Sequence, residues 1–166
     1  MTIPKIMLGG VEIDAEAGPE SQDVTRLGGS VVVRMSLGAA VKMTHWGKAA
    51  GGISGAGFLP AGLDGLDYSA PLELRLTKPR SRIQESPSFV LDAACRDDFE
   101  PWAFARVGGR WRQAVCVHDA GEVEVTPMVG ADRYRVEWMP AYQVMADEPD
   151  TNMGGRHGWS IAWEQV

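Results

Sequence analysis

Nowhere does this chain sustain apolar residues at the i, i+3, i+4, i+7 spacing of an amphipathic helix over three turns; short alternating runs punctuated by glycine pairs stand instead. That pattern confines the fold to strands and tight turns. Ile6-Met7-Leu8, Gly9-Gly10 and Val11-Glu12-Ile13 read as a hairpin, because a Gly pair tolerates the positive φ of a two-residue turn. Ser30 to Met35 is a β-branched run entered through Gly28-Gly29. Val41, Met43 and His45 then alternate with Lys42, Thr44 and Trp46, and Leu72, Leu74 and Leu76 with Glu73, Arg75 and Thr77. Pro71 and Pro79 bracket that last strand from outside, where proline is tolerated.

A second set follows. Trp102 to Val107, Gly108-Gly109 and Arg110 to Val117 read as another Gly-Gly hairpin. Glu122 to Val125 alternates, as does Tyr134 to Trp138, with Tyr134, Val136 and Trp138 opposite Arg133, Arg135 and Glu137. Gln143 to Ala146 and Trp159 to Glu164 are the last strands, and the best helix candidate, Leu63 to Tyr68, is one turn long. The class is therefore mainly β: an antiparallel sandwich or barrel-like domain with a second small β module inserted or appended. Seams are expected at Arg80 to Ser88 and at Pro140 with Ala146 to Gly155. They divide the chain into a β domain of residues 1–86 plus 141–166 and an inserted sandwich-like module of residues 87–140. Two consecutive modules is the simpler alternative.

Composition removes several functions. The 166 residues suffice for one core, and 45% hydrophobic content with net charge −6 argues against disorder. Residues 1–86 balance nine Lys/Arg against nine Asp/Glu, whereas residues 87–166 hold seven Arg and thirteen Asp/Glu, a net −6. Without a basic stripe, no nucleic-acid partner is expected. No apolar run reaches membrane-spanning length, so no membrane insertion is expected, and Met1 to Gly10 carries no apolar signal segment. Cys95 and Cys116 read as two small buried thiols, with a disulfide as the alternative.

The residues that carry chemistry elsewhere are scattered. His45, His118 and His157 make no metal-ligand spacing, so no metal or cofactor site is expected. Gly51 to Gly62 is neither GxxxxGK[ST] nor GxGxxG, and Ser54 lacks a GxSxG elbow because Ala56 takes the final Gly position. This run reads as a mobile loop that presents Ile53, Phe58 and Leu59 to a neighbour. Asp64 and Asp67 read as turn residues that accept backbone N–H bonds, and Asp97-Asp98-Phe99-Glu100 as a solvated loop. Six tryptophans exceed what one core needs; Trp102 and Trp111, straddling Gly108-Gly109, are candidates for partner contact.

Between Gly28 and Leu76 a series of structural motifs brings a resemblance into view. They are Gly29, Arg34 after the valines, Gly38-Ala39-Ala40-Val41-Lys42-Met43-Thr44-His45-Trp46, Ile53-Ser54-Gly55-Ala56-Gly57, and the segment Pro60 to Leu74 (PAGLDGLDYSAPLEL). With the closing Gly158 to Val166, these resemble the small tail proteins of long-tailed bacteriophages and prophages over about half the chain. The middle, residues 87–140, matches only in its β character. The resemblance implies a non-enzymatic virion component of the tail tip or baseplate, of distal-tail type and without cofactor, made in the host cytoplasm. Its implied partners are further copies of itself, as a trimer or hexamer, the tube, and hub or receptor-binding proteins.

Ring contacts are heterologous, so the neutral first half and acidic second half are expected to meet different neighbours. The alternative is a glycan-binding β-sandwich for host adsorption, stacking sugars on Trp102 or Trp111. A third option is a hydrolase using Asp64, Asp67 or Asp98.

Overall fold

The computed structural model describes residues 3–166, with the side chains of Pro19 and Glu20 left aside. The fold is mainly β, 56% strand and 2% helix, in open antiparallel sheets; among the described residues no barrel closes. In chain order the first strands are β1 (Met7–Leu8), β2 (Val11–Glu12), β3 (Pro19–Leu27), β4 (Ser30–Arg34), β5 (Ala40–Thr44) and β6 (Lys48–Gly57). Next come β7 (Leu72–Arg75), β8 (Arg80–Gln84), β9 (Ser88–Val90), β10 (Trp102–Val107), β11 (Arg110–Ala114) and β12 (Cys116–Asp119). The last are β13 (Glu122–Val125), β14 (Ala131–Trp138), β15 (Ala141–Ala146), β16 (Asp150–Met153) and β17 (His157–Gln165).

The chain divides into two compact units, one made of the segment ending at Glu12 with Glu73–Tyr142, the other of Ile13–Leu72 with Gln143–Val166. These seams differ from those read in the sequence. Arg80–Gln84, expected as linker, is a strand whose ladder to β14 pairs Arg80 with Trp138 and Gln84 with Tyr134. The N-terminal hairpin joins the same unit because β1 pairs with β7, Met7 opposite Arg75 and Leu8 opposite Leu74. Asp150–Met153, expected as the other polar seam, is likewise a strand, paired with β17.

The first unit is built around a two-sheet sandwich. The sheet β11-β10-β14-β8 supplies Ala103, Ala105, Tyr134, Val136 and Trp138, and the sheet β12-β13-β9 supplies Phe89, Val123 and Val125, to one buried cluster. The period-2 pattern decides this: β13 alternates exposed Glu122 and Glu124 with buried Val123 and Val125. Both expected Gly-Gly turns are present, with φ of 56° and 84° at Gly9 and Gly10 and 59° and 77° at Gly108 and Gly109. Cys95 and Cys116 are free, half-buried and packed against this core. Burial raises the Cys95 thiol to about 11 and also raises that of Cys116, so neither is a ready nucleophile.

In the second unit β17 runs antiparallel to β6 from His157 opposite Gly57 to Glu164 opposite Ala50, and β3 covers the other side of β6. Gly51 to Gly57, expected as a mobile loop, is therefore part of an internal strand with a neighbour on each side. Glycine is required there because other backbone crosses close by: a Cβ at Gly51 would collide with the Asp23 carbonyl, and one at Gly57 with the Glu16 carbonyl. Trp159 and Trp163 point inward beside Ile53 and Ile161 on alternate positions, all 4% exposed or less. The Trp159 indole N–H donates to the Ala17 carbonyl at 2.8 Å. Leu63 to Tyr68 forms turns, and the one helix among the described residues is the 3-10 turn Ala15–Ala17, which the alternation gave no hint of.

Candidate functional site

The most unusual surface belongs to the distal end of one long hairpin. Its base is β3 with β6, closing at Leu27 opposite Lys48; its distal half is β4 with β5, opening at Ser30 opposite Thr44. Between the two ladders Gly28-Gly29 face His45-Trp46-Gly47, two residues against three. Such an extra residue is a bulge, and a bulge re-aims the ribbon beyond it. Small residues are needed at this joint. A Cβ on Gly29 would stand 2.8 Å from the Trp46 indole nitrogen, and one on Gly47 would stand 2.9 Å from the Arg26 guanidinium. The indole and the guanidinium thus lie over the glycines of the joint and cover it.

Beyond the joint, Val31 pairs with Met43 and Val33 with Val41. The tip turns through Met35 to Ala39, with Gly38 at φ 79°, its N–H bonded to the Met35 carbonyl at 2.8 Å. Arg34 reaches over to the Gly38 carbonyl at 3.1 Å. Because side chains alternate across a ribbon, Val31, Val33, Val41 and Met43 share one face, and Ser30, Val32, Arg34, Lys42 and Thr44 the other. Every residue of both strands is exposed. The apolar face is 41% to 53% exposed, Leu37 at the tip 96% and Trp46 at the joint 52%. From Val24 to Leu63 the chain has no Asp or Glu, while Arg26, Arg34, Lys42 and Lys48 lie within it. The arm is an amphipathic, cationic ribbon.

The residues expected at partner contacts are distributed differently. Ile53 is 1% exposed in the middle of β6 and offers no surface, a correction that follows from the strand that replaces the loop. Phe58 and Leu59, just past β6, are 78% and 46% exposed, with the Arg156 guanidinium 5.9 Å from the Phe58 ring centre. Trp102 is half-buried: Phe99 meets its ring edge-on at 5.8 Å, and its N–H donates to Glu137 Oε2 at 2.8 Å. Trp111, on β11, is exposed. Phe58 and Leu59 belong to one unit and the two tryptophans to the other.

No catalytic grouping forms from the other candidates. Asp67 accepts from the Ser69 hydroxyl at 2.6 Å and its N–H at 3.0 Å, a turn role that holds its carboxyl below the usual range. Asp98 is gripped by Arg96 through Nε at 2.6 Å and Nη2 at 2.7 Å, and those bonds lower its pKa. Arg96 is 2% exposed and also donates to the Leu76 carbonyl, so the pair ties its loop to the chain just past β7 as a structural bridge. His118 lies on β12, with Nδ1 3.7 Å from Glu100. Among the described residues no three His, Cys, Asp or Glu gather as metal ligands, and no helix is long and apolar enough to cross a membrane.

The arm itself was not singled out in the sequence. Its signal was present in two β-branched or alternating runs of equal length, each flanked by glycine at the joint. Compared with known proteins, the chain matches no family model, no curated protein and no solved structure.

Proposed function

We propose that this chain is a structural virion protein of a bacteriophage tail tip or baseplate, which assembles with copies of itself as a ring and connects the tail tube to hub or receptor-binding proteins. The observation that carries the self-assembly is the β4–β5 arm. An isolated two-stranded ribbon is marginal in water, and contiguous exposed apolar surface marks protein contact. A ribbon with five exposed residues per strand and a valine–methionine face is suited to lie on another subunit. The tail assignment is supported by the motifs of Gly28 to Leu76 and Gly158 to Val166. The glycan reading has weaker support, since the Trp102 indole is engaged by Phe99 and Glu137.

Light scattering across a concentration series tests the self-assembly. A discrete trimer or hexamer is expected, and a monomer at every concentration contradicts it. Antibody labelling of purified virions tests the location: label at the tail end is expected, and label confined to heads contradicts it.

A further inference from the structure

The two sheets of the first unit's sandwich differ in charge. On the sheet β11-β10-β14-β8 the register sets Trp111, Arg106 and Arg133 in one row of the outer face, and Phe104, Arg135 and Ile83 in the next. Arg106 Nε donates to Asp132 at 2.9 Å, and Arg135 Nη2 lies 2.5 Å from Glu137 Oε1, which leaves this face one positive charge in excess. The edge strand β11 adds exposed Arg110 and Arg112, for an excess of three. The remaining arginines of the sheet, Arg80 and Arg82, turn toward the other sheet, where they bond Asp92 at 2.7 Å and the Val90 carbonyl at 2.8 Å.

The sheet β12-β13-β9 is the reverse. Its register puts Val117, Glu124 and Ser88 in one outer row and Asp119, Glu122 and Val90 in the next, all exposed. Its strands hold three carboxylates and no Lys or Arg. Val90 and Val117, 63% and 66% exposed, line a groove of about 280 Å³ between those acids. On the first sheet Trp111 and Ile83 are 38% and 49% exposed among arginines without lysine, the composition of a protein contact. With strands about 4.8 Å apart, the four-stranded face is about 19 Å wide and the three-stranded one about 14 Å, so the acidic face fits within the arginine face. A polyanion would occupy the arginine face alone and leave the acidic one without a partner, whereas another copy of this chain satisfies both.

We propose that the β11-β10-β14-β8 face of one copy docks on the β12-β13-β9 face of a second, its arginines meeting Asp119, Glu122 and Glu124 while Trp111 and Ile83 cover Val90 and Val117. The proposal rests on the self-assembly reading above and adds to the arm a second contact of different chemistry. The two faces are unlike and look away from each other, so the contact runs head to tail and stacks copies in line.

Salt separates the two contacts, because it screens charge and leaves apolar burial in place. Sedimentation of the full chain at about 0.01 M and about 1 M salt, where the screening length falls from about 30 Å to about 3 Å, tests the docking. The wild type is expected to have about twice the average mass at the lower salt. Arg110→Glu with Arg133→Glu, and Glu122→Lys with Glu124→Lys, are each expected to lose that excess. An equimolar mixture of the two is expected to regain it, since each face of one then meets an oppositely charged face of the other. Equal wild-type masses at both salts, or an excess kept by either variant alone, overturns the docking; a high-salt mass above monomer then leaves the self-assembly reading standing. A monomer at both salts overturns the two together. Heparin bound through Arg133 without any low-salt excess gives the arginine face to a polyanion and overturns the docking as well. If a variant loses its fold by circular dichroism, oxidising a mixture of Trp111→Cys and Val90→Cys decides the matter. A disulfide-linked dimer of the two is expected, and either variant linked mainly to itself contradicts the proposal.

Discussion

The basal and distal halves of the hairpin from Pro19 to Gly57 are built from the same antiparallel pairing, yet they differ in what lies beside them. In the base, β6 has a strand on each side, and Ile53 is 1% exposed. In the arm, β4 and β5 pair only with each other, and Val31, Val33, Val41 and Met43 stay 41% to 53% exposed. Alternation fixes which side chains share a face. Whether that face is covered depends on what is packed over it from elsewhere, which for the arm is, by our proposal, a second copy.

Substitution should separate the halves cleanly. Ile53→Ala is expected to lower stability by about 2–5 kcal/mol, the ordinary cost of truncating a buried isoleucine. Urea denaturation checks it, and a loss below about 0.5 kcal/mol would put Ile53 in a surface role after all. Gly51→Ala comes next, at about 1–3 kcal/mol, because the added methyl meets the Asp23 carbonyl and the Trp163 ring. Gly38→Ala at the arm's tip should cost about 1 kcal/mol in the arm alone, through its left-handed φ of 79°, since nothing stands within 4 Å of the added methyl. Comparing hydrogen exchange of β4 and β5 with that of β6 in both variants would show whether base and arm respond separately.

The Arg96–Asp98 bridge gives a smaller, pH-dependent effect. The Asp98 pKa is lowered in the fold, so its contribution is present above the ordinary carboxylate value of about 3.9 and is lost as pH falls through the lower folded value. Asp98→Asn should therefore be less stable than wild type at neutral pH, with the two curves converging below about pH 4. A constant difference across that range would mean that the bridge's charge contributes nothing. Phe58→Asp should change stability least of all, by under about 0.5 kcal/mol, because the ring is mostly in solvent.

The same contrast explains what could be read from the residues alone. The Gly9-Gly10 and Gly108-Gly109 hairpins were legible because positive φ at two successive positions demands glycine. The sandwich was legible in the alternation of β13 and β14. The β6 strand was not, because glycines needed for backbone approach look like glycines needed for flexibility. That ambiguity placed Ile53 on the surface. The arm's strands were legible, but their exposure was not, since a valine run has one pattern whether or not a sheet covers it. Phe58 and Leu59 are accessible, but they follow the end of a strand and do not sit on a mobile loop.

If the apolar face of the arm joins subunits, the solution mass of Val33→Asp with Met43→Asp differs from that of the wild type. A discrete oligomer is expected for the wild type and a monomer with unchanged thermal unfolding for the variant. Equal masses for the two proteins would contradict it.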